Sequence, residues 1–258
     1  KDGVPFTSNC WPKHIRMSDW IYHTLPTAHA SAWDQQALRQ SGSSIYLHSL
    51  YLDEVAPGWG YLEDPRGVRI PIWLRKRWGM QEIVHPLFVQ HFRPIYPGFD
   101  EPFDLYGLLL STEKLAWRIS LQLDVPVPTQ LPPGWHMQER ISYRLPLDAR
   151  ASALHAGFSS HHKRILKKEH SLQLTAENDL AAFHELFMAE MPRISGLQTA
   201  ELRVVERLTT WISIKRRGQL FTARKDGALV AACFILHSGN RLLYQWAVSN
   251  TEGKETNA

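Results

Sequence analysis

Tyr244 and Gln245 stand side by side in the run Leu242-Leu243-Tyr244-Gln245-Trp246-Ala247-Val248-Ser249, which reads as a strand feeding a polar loop. A phenol can donate a proton to a leaving group, and a carboxamide can orient a carbonyl or an amine. Tyr244 and Gln245 are therefore candidate catalytic residues, with one of them expected to face a cleft. The loop that follows, Asn250-Thr251-Glu252-Gly253-Lys254-Glu255-Thr256-Asn257, offers a second ingredient. A loop leaving the carboxyl end of a strand and entering a helix presents unpaired backbone N–H groups and the positive end of a helix dipole. Such groups bind a pyrophosphate or polarise a carbonyl. Asn250, Thr251, Gly253, Lys254, Thr256 and Asn257 are the candidate donor-binding residues. The plain alternative is a core tyrosine, a glutamine paired on the sheet surface and an ordinary surface turn.

Basic residues form a third set. Arg75-Lys76-Arg77, His161-His162-Lys163-Arg164 with Lys167-Lys168, and Lys215-Arg216-Arg217 concentrate the positive charge of a chain whose formal net charge is only +4. On a helix Lys163 and Lys167 share a face, as do Arg164 and Lys168. Lys163, Arg164 and Lys167 are thus candidate phosphate contacts, although solvated helix ends would look the same. Gln90 and His91 close a comparable strand in the first half and are candidate substrate contacts in a cleft between domains. The pair His161-His162 lacks any ligand-type spacing, so no metal site is expected. No Gly-x-Ser-x-Gly elbow, P-loop or dinucleotide fingerprint occurs. The two cysteines, Cys10 and Cys233, are too few for a disulfide framework or a cysteine zinc site. Cys233 lies in mid-strand among apolar residues and reads as packing, not as a nucleophile.

The elements that must position these residues follow from the pattern. With 258 residues, 44% of them hydrophobic, the chain has material for about two buried cores. No apolar run reaches the ~20 residues of a membrane helix, and a reducing cytoplasmic setting is the default. Residues 1–16 show no periodicity; Met17 is read as the biological start and 1–16 as a leader. Helices are expected over SAWDQQALRQ and SIYLHSLYLDEVA, a hairpin over WGYLED and VRIPIWLRKRWG, a strand over QEIVHPLFVQ and a helix over FDLYGLLLSTEKLAWRI. Two short strands are expected at Ser120–Val125 and Gln138–Leu145. The second half opens with a helical stretch broken at Gly157, then a strand SLQLTA, two amphipathic helices separated by PRISGLQ, and a three-strand meander turning at Asp226-Gly227 and Gly239-Asn240. The expected domains are 17–146 and 147–258. The two halves repeat one order of elements, and the second stops before the helix that follows the loop in the first. Its domain is therefore expected to be incomplete, with Leu243 and Trp246 exposed at an open edge.

The order strand–helix–helix–strand–strand–strand–loop resembles the GNAT acyltransferase fold. The whole chain resembles the two-domain Fem-type branch of bacterial aminoacyltransferases. WDQQALRQSGSSIYLHSLYLDEVAPGW, SSHHKRILKKEHSLQL and GQLFTARKDGALVAACFILHSGNRLLYQWAVSNTEGKETNA carry the likeness. The resemblance implies an α/β (α+β) fold of tandem GNAT-like domains, each a mixed, mostly antiparallel sheet flanked by helices. It also implies amide formation between an activated acyl or aminoacyl donor and an amine, such as that of a peptidoglycan precursor, by direct attack. Acyl-CoA or aminoacyl-tRNA would be the co-substrate, with no bound cofactor. The setting would be the cytoplasm or the inner-membrane surface, with a lipid-linked cell-wall precursor as one partner and tRNA as another. GNAT enzymes that use acyl-CoA carry an Arg/Gln-x-x-Gly-x-Gly/Ala loop, whereas this loop has one glycine and two acids, Glu252 and Glu255, which disfavour a pyrophosphate. Two alternatives stand beside this reading: an acyl-CoA N-acetyltransferase acting on a small molecule or protein, and a non-catalytic RNA- or anion-binding module.

Overall fold

The computed structural model describes residues 19–24, 30–39, 44–98, 103–147, 150–167 and 172–256. Residues 1–16, read above as a leader, with Met17, Lys168 and Asn257, lie outside them. The chain divides into two compact units. One comprises 1–36 and 56–135, the other 37–55 and 136–258.

The first unit begins with β1 (Ile21–Thr24) and the start of α1 (Ala30–Arg39). It resumes with β2 (Gly60–Glu63), β3 (Arg69–Ile72), β4 (Leu74–Arg77), β5 (Met80–Ile83), α3 (Leu105–Glu113) and β6 (Arg118–Ile119), while α2 (Ser49–Val55) belongs to the other unit. β1, β2 and β3 make an antiparallel sheet, while β4, β5 and β6 make a second in which β6 runs parallel to β5. The run expected as one strand, Val68–Gly79, thus breaks at Trp73 and serves two sheets. β5 ends at Ile83 and does not reach Gln90, because Pro86 has no N–H for the ladder. The expected helix over 103–119 stops at Glu113, capped at its start by Asp104, whose carboxylate accepts from the Gly107 N–H at 2.8 Å. Within the expected strand Ser120–Val125 only an isolated bridge, Phe92 to Leu123, forms. Trp33 anchors the core against Trp59, with ring centroids 4.9 Å apart.

The second unit takes in a 3-10 turn (Ile45–Leu47) and α2 (Ser49–Val55), then α4 (Ala151–Ala156), α5 (Ser160–Lys167), β7 (Leu172–Glu177), α6 (Leu180–Ser195), α7 (Thr199–Ile214), β8 (Gly218–Lys225), β9 (Ala228–Ser238), β10 (Arg241–Ser249) and α8 (Thr251–Thr256). Residues 136–147, where a strand was expected, pair with nothing in a ladder. The sheet is antiparallel throughout, in the order β10-β9-β8-β7. Asp226 and Gly227, both at positive φ (50° and 83°), form the tight turn that the Asp-Gly signal announces. α6 is capped by the Asp179 carboxylate and ends at Gly196 in the left-handed conformation (φ 72°), so it runs through Pro192 to Ser195. The connection to α7 is correspondingly shorter than PRISGLQ. Phe183 and Phe187, one turn apart on α6, are both buried; their rings meet, and Phe183 packs against Phe234 of β9. Burying such rings contributes ~2–3 kcal/mol each. The molecule is thus mixed α/β with antiparallel sheets flanked by helices, and none of the described helices is long and apolar enough to cross a membrane.

Candidate functional site

β10 pairs with β9 in strict register up to Tyr244 opposite Ile235, and then resumes with Trp246 opposite Phe234. Gln245 is the extra residue of a one-residue bulge. In a bulge the inserted residue loses its cross-strand partner and the strand twists locally. Trp246 and Val248 fall on the inner face and are buried, Trp246 meeting Phe234 edge-on at 6.0 Å. Trp246 is therefore core and only 4% exposed, against the expectation of an exposed edge residue, and Leu243 is half-buried. Tyr244 turns the other way and is 65% exposed. The bulge places an exposed phenol and a half-buried carboxamide next to each other at one point of the strand.

The electrostatics assign these groups protonation states. Partial burial, and to a lesser degree the nearby Cys233 thiol, push the Tyr244 phenol above its ordinary value of 10.0. Burial likewise pushes the Cys233 thiol up. Both stay protonated at neutral pH, which suits Tyr244 as a proton donor and disqualifies Cys233 as a nucleophile. Gln245 Oε1 accepts a hydrogen bond from the Tyr46 hydroxyl, a group 199 residues away in sequence. Tyr46 was not a sequence candidate, and no local signal would have found it.

The stretch after β10 is not an open loop. Asn250 donates its N–H to the Val230 carbonyl at 3.0 Å, and Thr251–Thr256 closes at once into α8. The Asn250 side-chain oxygen accepts from the Gly253 N–H at 2.8 Å, and the Asn250 backbone carbonyl accepts from the Lys254 N–H at 3.1 Å. An N-cap asparagine thus uses an N–H that the open loop would have offered to a ligand. Gly253 is buried where α8 crosses β9: a Cβ there would lie 2.3 Å from the Val230 carbonyl oxygen. This glycine serves close packing of helix on strand. Lys225 donates to Glu252 at 2.7 Å, so one of the two acids at α8 is paired, while the Thr256 hydroxyl donates back to the Glu252 carbonyl.

The remaining candidates sit on other elements. Lys163, Arg164 and Lys167 lie on α5, which buries no residue. Lys163 Nζ donates to the Ala156 carbonyl at 2.7 Å at the end of α4, and Arg164 lies 3.3 Å from His161 Nδ1. Gln90 and His91 belong to the first unit, beyond the end of β5 in irregular chain, and His91 stands 3.7 Å from the Asp124 carboxylate that Arg93 also holds. Arg75 pairs with the buried Glu82 across β4 and β5. Lys215, Arg216 and Arg217 close α7 and lead into β8. Among the described residues no three His, Cys, Asp or Glu side chains converge as metal ligands.

No curated protein matches the chain. The two helices laid on a four-stranded antiparallel meander, with a bulged last strand running into a helix, coincide with residues 151–257, which match the family model described as "Acetyltransferase (GNAT) domain". That match covers residues 151–257 alone, and the family it describes transfers an acyl group from a donor to an amine.

Proposed function

We propose that the chain is an N-acyltransferase of Fem type, joining an activated acyl or aminoacyl group to an amine through its second unit. The observation that carries this reading is the bulge at Gln245, which sets a carboxamide and a protonated phenol side by side just before α8 in a GNAT domain. In the proposed reaction the amine lone pair attacks the acyl carbon and a C–N bond forms. Gln245 Nε2–H supports the oxyanion; one such donor contributes about 3 kcal/mol. The bond to the leaving sulfur or oxygen then breaks, and the Tyr244 hydroxyl gives that atom its proton. The proton shed by the amine returns through water to the Tyr244 phenolate. An acyl donor and an amine become an amide and a free thiol or alcohol, with no covalent enzyme intermediate.

Acyl-CoA is the co-substrate of GNAT acetyltransferases, so the family match favours it. Two features of α8 favour an aminoacyl ester instead. Asn250 occupies the Gly253 N–H, and Glu255 adds a negative charge where a pyrophosphate would lie. The Lys225–Glu252 pair softens this objection without removing it, since Glu255 remains. The likeness to Fem-type enzymes supports a peptidoglycan-precursor amine as acceptor, domains at 17–146 and 147–258, and action in the bacterial cytoplasm or at its inner membrane. Basic α5, with Lys163, Arg164 and Lys167, would hold phosphates of tRNA or precursor, and Gln90 and His91 would contact substrate.

Calorimetric titration with acetyl-CoA, bulk aminoacyl-tRNA and lipid-linked peptidoglycan precursor tests the reading. Heat is expected with the last two and none with acetyl-CoA. Micromolar acetyl-CoA binding moves the assignment to an acyl-CoA N-acetyltransferase, and silence with all three rejects the transferase reading.

A further inference from the structure

We infer that the β4–β5 hairpin, with the chain that enters β6 beside it, is a docking tip for an anionic lipid bilayer surface. The basic run Arg75-Lys76-Arg77, to which the proposed transfer gives no role, lies on this hairpin. The inference does not depend on the chemistry assigned to the second unit. Arg77 pairs with Met80 at the end of the ladder, so only Trp78 and Gly79 make the turn. Both stand at positive φ, 51° and 81°. Such a two-residue turn is the preferred place of Asn-Gly, and a bulky residue holds the left-handed conformation at a cost. Here the residue that bears the cost is a tryptophan, and it is 76% exposed, so burial does not offset it. A Cβ on Gly79 would meet no described atom within 4 Å, so the space beside the turn is open.

The neighbouring residues give the tip its chemistry. Met80 is exposed beside the turn. Trp117, whose N–H donates to the Gln81 carbonyl at 3.1 Å, exposes a second indole at the same end of the sheet. Arg118 follows it into β6 and is exposed opposite Glu82. Against Arg75, Lys76, Arg77 and Arg118, the three strands carry a single acid, Glu82, which is buried and engaged by Arg75. Arg77 lies over the Trp78 ring at 4.3 Å. An indole with a guanidinium at its side suits the level where acyl chains meet headgroups, the ring among apolar carbons and the cation within reach of a phosphate. Stable attachment to a bilayer takes two signals, and the tip holds both: apolar side chains to insert and positive charge to attract anionic lipid. Single-stranded RNA would use the charge and stack its bases on ring faces. Yet the Arg77 guanidinium covers one face of Trp78, and the flexible thioether of Met80 has no flat face, which fits acyl chains better than bases.

Co-sedimentation of the full chain with vesicles that hold no cell-wall precursor tests this apart from the transferase reading. The chain is expected to bind vesicles of phosphatidylcholine with phosphatidylglycerol, to ignore phosphatidylcholine alone, and to dissociate as salt is raised. Trp78→Asn is expected to lower partitioning at least roughly tenfold, while its melting temperature stays level or rises, because asparagine suits the turn. Lys76→Gln combined with Arg77→Gln is expected to lower partitioning roughly fivefold per charge. Trp78→Phe keeps an apolar ring and is expected to bind, but to lose part of the fluorescence quenching that brominated acyl chains cause in the wild type. Equal binding to neutral and anionic vesicles, or none to either, overturns the inference. So does anionic-vesicle binding that both the Trp78→Asn and the charge variants retain, which would move the contact to another basic element such as α5. Binding to single-stranded RNA that Trp78→Asn abolishes, with the vesicles ignored, also overturns it and makes the hairpin a stacking platform.

Discussion

A phenol that must hand over a proton works only while it holds one, and Tyr244 is built to hold it. Burial first, and the neighbouring Cys233 thiol second, raise its ionisation above the ordinary 10.0. The protonated form is the active one, so the rate of the proposed transfer is flat below that pKa and falls as pH rises through it. The wild-type alkaline limb is therefore expected only above about pH 10. Tyr244→Phe is expected to lower kcat by about 100-fold and to abolish the limb, leaving a low, level pH–rate profile to be measured between pH 6 and 11. A variant that keeps the limb assigns the proton to another group. Tyr244 and Gln245 stood out in the sequence as candidates because they interrupt an apolar strand shortly before a polar stretch. The contact of Tyr46 with Gln245 was not legible, because it joins residues nearly two hundred positions apart, and a tyrosine in an apolar helical pattern looks like any core residue.

At the scale of elements, α8 shows where a local reading stops. Asn250-Thr251-Glu252-Gly253-Lys254-Glu255 is polar, short and carries a glycine, all of which speak for a loop. Its helicity comes from tertiary context: the Asn250 cap, the Asn250 N–H on the Val230 carbonyl, and the glycine that lets α8 touch β9. Gly253→Ala brings a methyl to 2.3 Å from a backbone oxygen that has nowhere to go. Helix propensity favours alanine by up to ~1 kcal/mol, but the clash costs about 1–3 kcal/mol, so the clash prevails. The second unit is expected to melt a few degrees lower in a thermal scan, and an unchanged or higher Tm would mean that α8 does not press on β9. The β8–β9–β10 meander was legible to within a residue or two, since Asp226-Gly227 and Gly239-Asn240 announce turns between alternating apolar runs. The strands of the first unit were less so. Val68 to Gly79 reads as one strand, and only the handover at Trp73 from one sheet to another divides it.

At the scale of the whole molecule, buried tyrosines make stability depend on alkaline pH. Burial raises Tyr46 well above 10.0, and burial together with the adjacent Tyr46 does the same for Tyr51. A group whose proton is held more tightly in the folded state stabilises fully below its unfolded pKa, and that contribution is lost as pH rises from there toward the folded value. Each such tyrosine costs about 1.4 kcal/mol per pH unit across that window. Melting of the second unit is expected to be level from pH 7 to 9 and to drop steeply above pH 10, and Tyr46→Phe should make the drop shallower. A drop equally steep in that variant would mean that Tyr46 ionises without unfolding anything. The 37–55 segment that contributes both tyrosines also bears on biosynthesis. On the ribosome Ile45 and Tyr46 emerge long before their partners Ser238 and Gln245, which lie 193 and 199 residues later. At roughly 5–20 residues per second the turn spends on the order of 10–40 s with its apolar face uncovered while residues 56–135 of the other unit and then most of its own unit are made. The second unit therefore cannot mature as a purely C-terminal event. It closes around a piece of chain made well before the rest of the unit, and that interval is when the nascent protein depends most on chaperones.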